Sequence, residues 1–398
     1  MLWLRAILAK LYVSCKMENN VIFLGCTQGY GYNFSACNTK VGFMASGLRL
    51  CGDTCIIHNG TSGKPGLKSP EYIKTEDGLE VINYPYFRNW LWSSFANYRR
   101  LVSDLKSLYN QASNNIVVLE APYLPIYWMY MLAARRASYK VVVIAHEWLS
   151  TFKHKKIIPR LLNRLYSKLF GYGVDAILPI SEYIITRIKH FGKPYFKVPI
   201  EADFSQRPEY TDRQPSFLYC VSSEYIRVIS MILEAYKSYV SNGGKYGLTL
   251  VLSGNEQSRA KVNDIISELM LSAKICIKSG LPYNELWTLF NHSSGLIIPL
   301  NPDYEQDKAR FSQKIAEYLS SGTPIISNDV GEVHTYFKDK ENIILCSYSS
   351  DGFSSSFTWI EEHQSEAHQI GYNGYGLGRD NFDFRNCGQQ LHNFLIEL

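Results

Sequence analysis

Apolar and polar positions along this chain fall into two alternating rhythms. Short apolar runs of strand length are separated by longer stretches with apolar residues three and four apart. The runs predict buried strands and the stretches predict amphipathic helices. Asn20–Gly25 reads as the first strand. Gly29-Tyr30-Gly31 follows it, and a helix runs from about Ser35 to Leu50 with Val41, Met44, Ala45 and Leu48 on its apolar face. Cys51-Gly52 closes that helix, and Thr54–Ile57 makes the next strand. Ile116–Leu119, Lys140–Ala145 and Ala176–Ile180 continue the same sheet, with Ser181 capping the helix after the last of them. Alternation of this kind predicts parallel α/β architecture.

From Lys197-Val198-Pro199-Ile200-Glu201-Ala202-Asp203 the chain enters a polar stretch, Gln206–Pro215, which is the expected linker. A second series begins at Phe217-Leu218-Tyr219-Cys220. It continues with a helix through Ile232–Tyr239, strands at Leu248–Leu252 and Lys274–Ile277, a short helix at Asn284–Phe290, and a strand at Gly295–Pro299. Phe384–Leu398 reads as a final helix. No internal repeat or low-complexity tract interrupts this order. Two similar halves are expected, each binding ligand at the carboxyl ends of its strands.

Composition narrows the picture. At 398 residues the chain suits two domains, and 46% hydrophobic with 19% charged residues marks it as globular. A net charge of +5 is too weak to argue for nucleic acid, but it fits a phosphate-rich ligand or an anionic membrane surface. The 9 cysteines are scattered without metal-ligand spacing, which predicts free thiols in a reducing compartment and no structural zinc. No segment has the ~18 uninterrupted apolar residues of a membrane span. Residues 1–16 read as a possible extension or interfacial helix ahead of Met17, and a cytoplasmic location is expected.

The most informative stretch runs from Lys308 to Val333. It reads as loop, helix, tight turn, buried strand, loop. Arg310, Ser312 and Lys314 open the helix, Glu317 sits one to two turns in, and Gly322-Thr323-Pro324 ends it before Ile325-Ile326-Ser327. A helix N-terminus beside cations suits a diphosphate, and a carboxylate nearby can accept hydrogen bonds from sugar hydroxyls. The stretch resembles the donor-site motif of retaining GT-B glycosyltransferases, group 1 (family 4 type), roughly P-x-K-x-x-E-Y-x-A-x-G-x-P-V-I. The glycine loop after strand one, His146-Glu147 after a strand, Leu178-Pro179-Ile180-Ser181-Glu182 before a helix, and Ser279–Leu286 all stand in that family's order.

The resemblance implies two Rossmann-like domains facing each other across a cleft. Residues 1–204 would be the acceptor side, 205–380 the nucleotide-sugar side, and 381–398 a helix packing back across the cleft. Glu317 would hold the nucleotide ribose, while Arg310 and Lys314 would neutralise the departing diphosphate. Phe311, Ser312, Ile315 and Arg227 would complete the donor site. Gly29, Tyr30 and Gly31 would lie beneath the pyrophosphate and border the acceptor, and His146 would line the sugar site. The first glutamate of the family's paired-glutamate motif would fall at position 309, where this chain has Ala309. Glu305, Asp307 and Glu332 are the candidate substitutes. A UDP- or GDP-type sugar is the expected co-substrate, a glycan or lipid-linked glycan the acceptor, and no metal is expected. The rivals are a nucleotide-sugar epimerase of similar fold and a non-catalytic sugar-nucleotide-binding partner subunit. Finally, Arg160, Arg164 and Lys168 recur at i, i+4, i+8 after Lys153-His154-Lys155-Lys156, and Arg88-Asn89-Trp90-Leu91-Trp92 with Arg99-Arg100 forms a second basic–aromatic stretch. Such faces suit peripheral contact with an anionic membrane surface.

Overall fold

The computed structural model describes residues 18–25, 29–32, 35–120, 124–152, 157–206, 208 and 213–398, with the side chains of Ala36 and Trp90 left aside. Residues 1–17, and the basic run 153–156, lie outside that range. The chain forms two compact units. The first comprises the residues up to Ile180, Ile184–Val198 and Phe384–Leu398, and the second Ser181–Tyr183 and Pro199–Asp383.

The first unit is built on a seven-stranded sheet in the order β3-β4-β2-β1-β5-β6-β7. Its strands are β1 Asn19–Leu24, β2 Thr54–His58, β3 Glu71–Lys74, β4 Glu80–Asn83, β5 Asn114–Leu119, β6 Lys140–Ala145 and β7 Ala176–Pro179. All pairings are parallel except β3 with β4 at the edge. β1 and β5 are buried at every position, as expected where helices cover both faces of a parallel sheet. The helix Ala36–Leu50 starts at Ser35, whose hydroxyl accepts from the Asn38 N–H at 3.1 Å. Val41, Met44, Ala45 and Leu48 form its buried face, as the periodicity predicts.

The second unit has a six-stranded, wholly parallel sheet ordered β10-β9-β8-β11-β12-β13. These strands are β8 Gln214–Ser222, β9 Gly247–Ser253, β10 Ile275–Lys278, β11 Ser293–Ile298, β12 Ile325–Ser327 and β13 Ile344–Leu345. Its core joins Phe217, Leu250 and Ile297 of the sheet to Tyr236, Phe353 and Phe357 of the covering helices.

Several expectations shift. The apolar pattern does not mark the edge strand β3, its neighbour β4, or the helices Trp90–Ser107, Leu124–Arg136, Glu256–Glu268, Ser350–Glu362 and Gln364–Phe382. β3 alternates between half-buried and exposed positions, so it carries no apolar run. The passage between units falls at Val198/Pro199, ahead of the polar stretch. Val198, Ile200, Ala202 and Phe204 are all buried, so this segment is packed structure and not a loose tether. The last helix, Phe384–Glu397, belongs to the first unit, where it lies on the Ala36–Leu50 helix. A Cβ on Gly388 would come within 2.4 Å of the Gly47 backbone, so only glycines permit this approach. His392 Nδ1 bonds Asp53 Oδ2 at 2.8 Å, and Asp53 also accepts from the Asn19 N–H, so the helix is pinned to the strand ends by a buried polar network. Among the described residues no helix is long and apolar enough to cross a membrane.

Candidate functional site

In the second unit the informative stretch folds as a short helix, Glu305–Ala309, a break at Arg310–Ser312, the helix Gln313–Ser320, a left-handed turn at Gly322 (φ 63°) and β12. Ser312 holds the N-cap place with extended backbone and makes no side-chain cap bond, so its hydroxyl does not occupy the helix's positive end. Lys314 Nζ donates to the Cys220 carbonyl in β8 at 2.8 Å, and burial pushes its pKa down. One turn on, Glu317 is buried, and among the described residues no hydrogen bond reaches its carboxylate. Burial lifts its pKa to about 7, outweighing the pull of Lys314. The helix therefore carries a buried acid poised to accept hydrogen bonds from whatever enters beside it.

The other expected donor residues are placed differently. Arg310 forms a 2.7 Å ion pair with Asp307, so it is not a bare cation. Phe311 is a core residue, stacked on Tyr336 and edge-on to Phe382. Ile315 is wholly buried. Both side chains hold the helix in place, and the Ile315 N–H is bonded to the Ser312 carbonyl at 2.9 Å. Arg227 is exposed on the first turn of the helix Ile226–Ser241. The candidate substitutes at Ala309 all have local work. Glu305 accepts from the Tyr183 hydroxyl, Asp307 holds Arg310 and the Asn301 N–H, and Glu332 accepts from the Glu182 N–H at 2.6 Å. Ser181, expected as a cap, directs its hydroxyl to the Ala309 carbonyl at 2.5 Å.

In the first unit the glycine loop has the conformation that its residues allow. Gly25, Gly29 and Gly31 all have positive φ, and a Cβ on Gly25 would meet the Glu120 carbonyl at 2.7 Å. Asn59 pins Tyr30 by accepting its N–H and donating to its carbonyl, each at 2.8 Å. His146 stands just past β6 with Nε2 buried, and burial and the nearby Lys40 ammonium hold its pKa well below the usual range. Glu147 is exposed. Two residues missed in the sequence stand beside His146: Cys37 Sγ, Glu120 Oε and a ring nitrogen of His146 lie within 4.8 Å of one another. Glu120 immediately follows β5, and that position past a buried apolar run was the available signal.

Comparison with known proteins bears on the domain and the fold. Residues 204–377 match the sequence model of the family described as Glycosyl transferases group 1. The fold superposes on sucrose-phosphate synthase from Thermosynechococcus elongatus with a TM-score of 0.72, covering 96% of this chain and 98% of that one at 12% identity. HepE from Anabaena, solved with UDP and glucose, gives a TM-score of 0.70 over 95% of this chain and 100% of its own, also at 12% identity. Among curated proteins, the chitobiosyldiphosphodolichol beta-mannosyltransferase of Candida albicans is 20% identical over 221 residues, 48% of this chain and 46% of the relative, so the match spans less than half of either. Residues 204–377 thus carry a group 1 glycosyltransferase domain, and the chain as a whole, with its two Rossmann-like sheets, has the GT-B fold of these solved structures.

Proposed function

We propose that this protein moves a sugar from a nucleotide diphosphate sugar of UDP or GDP type to a glycan or lipid-linked glycan. Retention of configuration and a role in surface polysaccharide biosynthesis rest on the family resemblance. The observation that carries the reading is Glu317, buried, unbonded by the described residues and set one turn beyond Lys314. A ribose diol entering there supplies the hydrogen bonds the carboxylate needs. The open N-terminus at Ser312 then meets the diphosphate, with Lys314 and Arg310 stabilising the charge that grows as the glycosidic bond breaks. In this reading the leaving-group charge is met by the helix and the cations without a metal. His146, kept neutral, donates to or orients a hydroxyl of the transferred sugar or acceptor. HepE, solved with UDP and glucose, and the Candida mannosyltransferase support a nucleotide-sugar donor and a lipid-linked acceptor by analogy.

A thermal-shift screen across UDP, GDP and ADP sugars, followed by a nucleoside diphosphate release assay, tests this. A raised melting temperature with one base and slow release of its diphosphate is expected. Binding without any turnover would favour the partner-subunit reading, which Ala309 and the occupied neighbouring carboxylates support.

Peripheral membrane contact is part of the proposal. The helix Ile157–Leu169 has no acidic residue and leaves Ile157, Ile158, Leu161, Leu162 and Leu165 exposed beside Arg160, Arg164 and Lys168. Apolar residues that can enter a lipid interface, flanked by cations, suit the anionic inner face of a membrane.

A further inference from the structure

We propose that Cys37, Glu120 and His146 form a binding site for a soft divalent cation of the zinc class. The three side chains come from separate parts of the sequence and converge at the carboxyl ends of adjacent strands. Glu120 follows β5 and His146 follows β6, its parallel neighbour. Cys37 lies in the first turn of the helix that follows β1, the strand on the other side of β5. The sheet order reverses direction between β1 and β5, which is where open α/β sheets bind ligands.

The donor set is a thiol, a carboxylate and an imidazole, the set that zinc takes with a fourth position left to water or substrate. Their donor atoms lie within 4.8 Å of one another. Tetrahedral zinc holds its ligand atoms about 3.5 Å apart, so side-chain torsions must close the wider gaps by about 1 Å and open the hydrogen-bonded Cys37–Glu120 pair by a similar amount. A second observation points the same way: His146 Nε2 is buried with no hydrogen-bond partner. Cys37 Sγ already donates to Glu120 Oε1. On binding, the Cys37 proton leaves to solvent, and thiolate and carboxylate become two anionic ligands while His146 coordinates as neutral imidazole. Those two negative charges cancel the cation's own charge. Lys40, whose ammonium acts on His146 and donates to the Val198 carbonyl, opposes a cation here, and a site with fewer than two anions would not overcome it. The first turn of the Ala36–Leu50 helix favours the thiolate.

Occupation engages His146, so it would silence turnover. That consequence rests on the acceptor-side role proposed above; the site itself does not. The test is titration of the reduced full-length chain with Co²⁺, read by the near-ultraviolet thiolate charge-transfer band. The expected result is one equivalent bound with a thiolate band that persists in Cys276→Ser, a control at an exposed cysteine. Cys37→Ser should lose the band and bind about a hundredfold more weakly, and Glu120→Gln should bind about tenfold more weakly. No band in the wild type, or a band that survives in a folded Cys37→Ser chain, overturns the site. If circular dichroism shows Cys37→Ser unfolded, Glu120→Gln decides, and unchanged affinity there overturns it equally. A parallel arm measures nucleoside diphosphate release with micromolar Zn²⁺ and then with EDTA. Inhibition that Cys37→Ser escapes supports both site and consequence. Binding without inhibition keeps the site and overturns only the role given to His146.

Discussion

The two units place their candidate sites at the same kind of location, the carboxyl ends of parallel strands, but assemble them in different ways. In the second unit Arg310, Ser312, Lys314 and Glu317 lie within one local segment, and helix periodicity sets Lys314 and Glu317 one turn apart. In the first unit Cys37, Glu120 and His146 meet only because β1, β5 and β6 are neighbours. The local site depends on one helix keeping its place against β8, where Lys314 donates to the Cys220 carbonyl. The dispersed site depends on strand order and on the glycine loop that lets Gly25 pass against Glu120. Burial acts on both with one physical result, favouring the neutral form. It raises Glu317 to about 7, lowers Lys314 and holds His146 well down.

The sharpest way to break this comparison is at Glu317. Glu317→Ala should weaken nucleoside diphosphate binding by about 1.5–3 kcal/mol, the scale of hydrogen bonds to a charged group. Calorimetry on the folded variant checks it, and unchanged affinity would move the ribose elsewhere. Next come the cations. Arg310→Ala and Lys314→Ala should each cut turnover about tenfold or more, because they meet charge that develops in the transition state. Arg310→Ala also strips Asp307 of its partner, so a melting curve must accompany the rate. Normal rates in both variants would place the diphosphate away from this helix.

The pH dependence distinguishes the units more finely. Folding raises the Glu317 pKa from 4.5 to about 7, so its contribution to stability is full below about 4.5 and is lost as pH rises through 7. Ribose hydroxyls favour the carboxylate, so the nucleotide acts in the opposite sense. Affinity should tighten roughly tenfold from pH 6 to pH 8. Subtracting the same titration of Glu317→Gln removes the diphosphate's own ionisation, and a flat difference would leave Glu317 outside the site. The smallest effect lies on the first unit's surface. Each of Arg160, Arg164 and Lys168 should contribute about 1 kcal/mol to docking on anionic vesicles, fading as salt rises. Co-sedimentation with anionic and neutral lipids measures this, and equal binding to both would leave Ile157–Leu169 an ordinary exposed helix.

The sequence by itself determined what depends on near neighbours. Apolar runs located most of the parallel strands, the 3.6-residue rhythm placed the Ala36–Leu50 helix, and the Glu317–Gly322–Pro324 spacing marked the helix and turn of the second unit's candidate site. These features are local, because backbone geometry fixes which residues within two helical turns share a face. Tertiary structure alone decided the rest. It buried Phe311 against Tyr336 and Phe382, engaged Glu305 and Glu332 elsewhere, and packed the segment around Ile200 that reads as a lead-in to a linker. It also set His392 on Asp53 and Cys37 beside Glu120 and His146. Those contacts join residues tens to hundreds of positions apart, and strand order, which no local pattern encodes, is what carries them together.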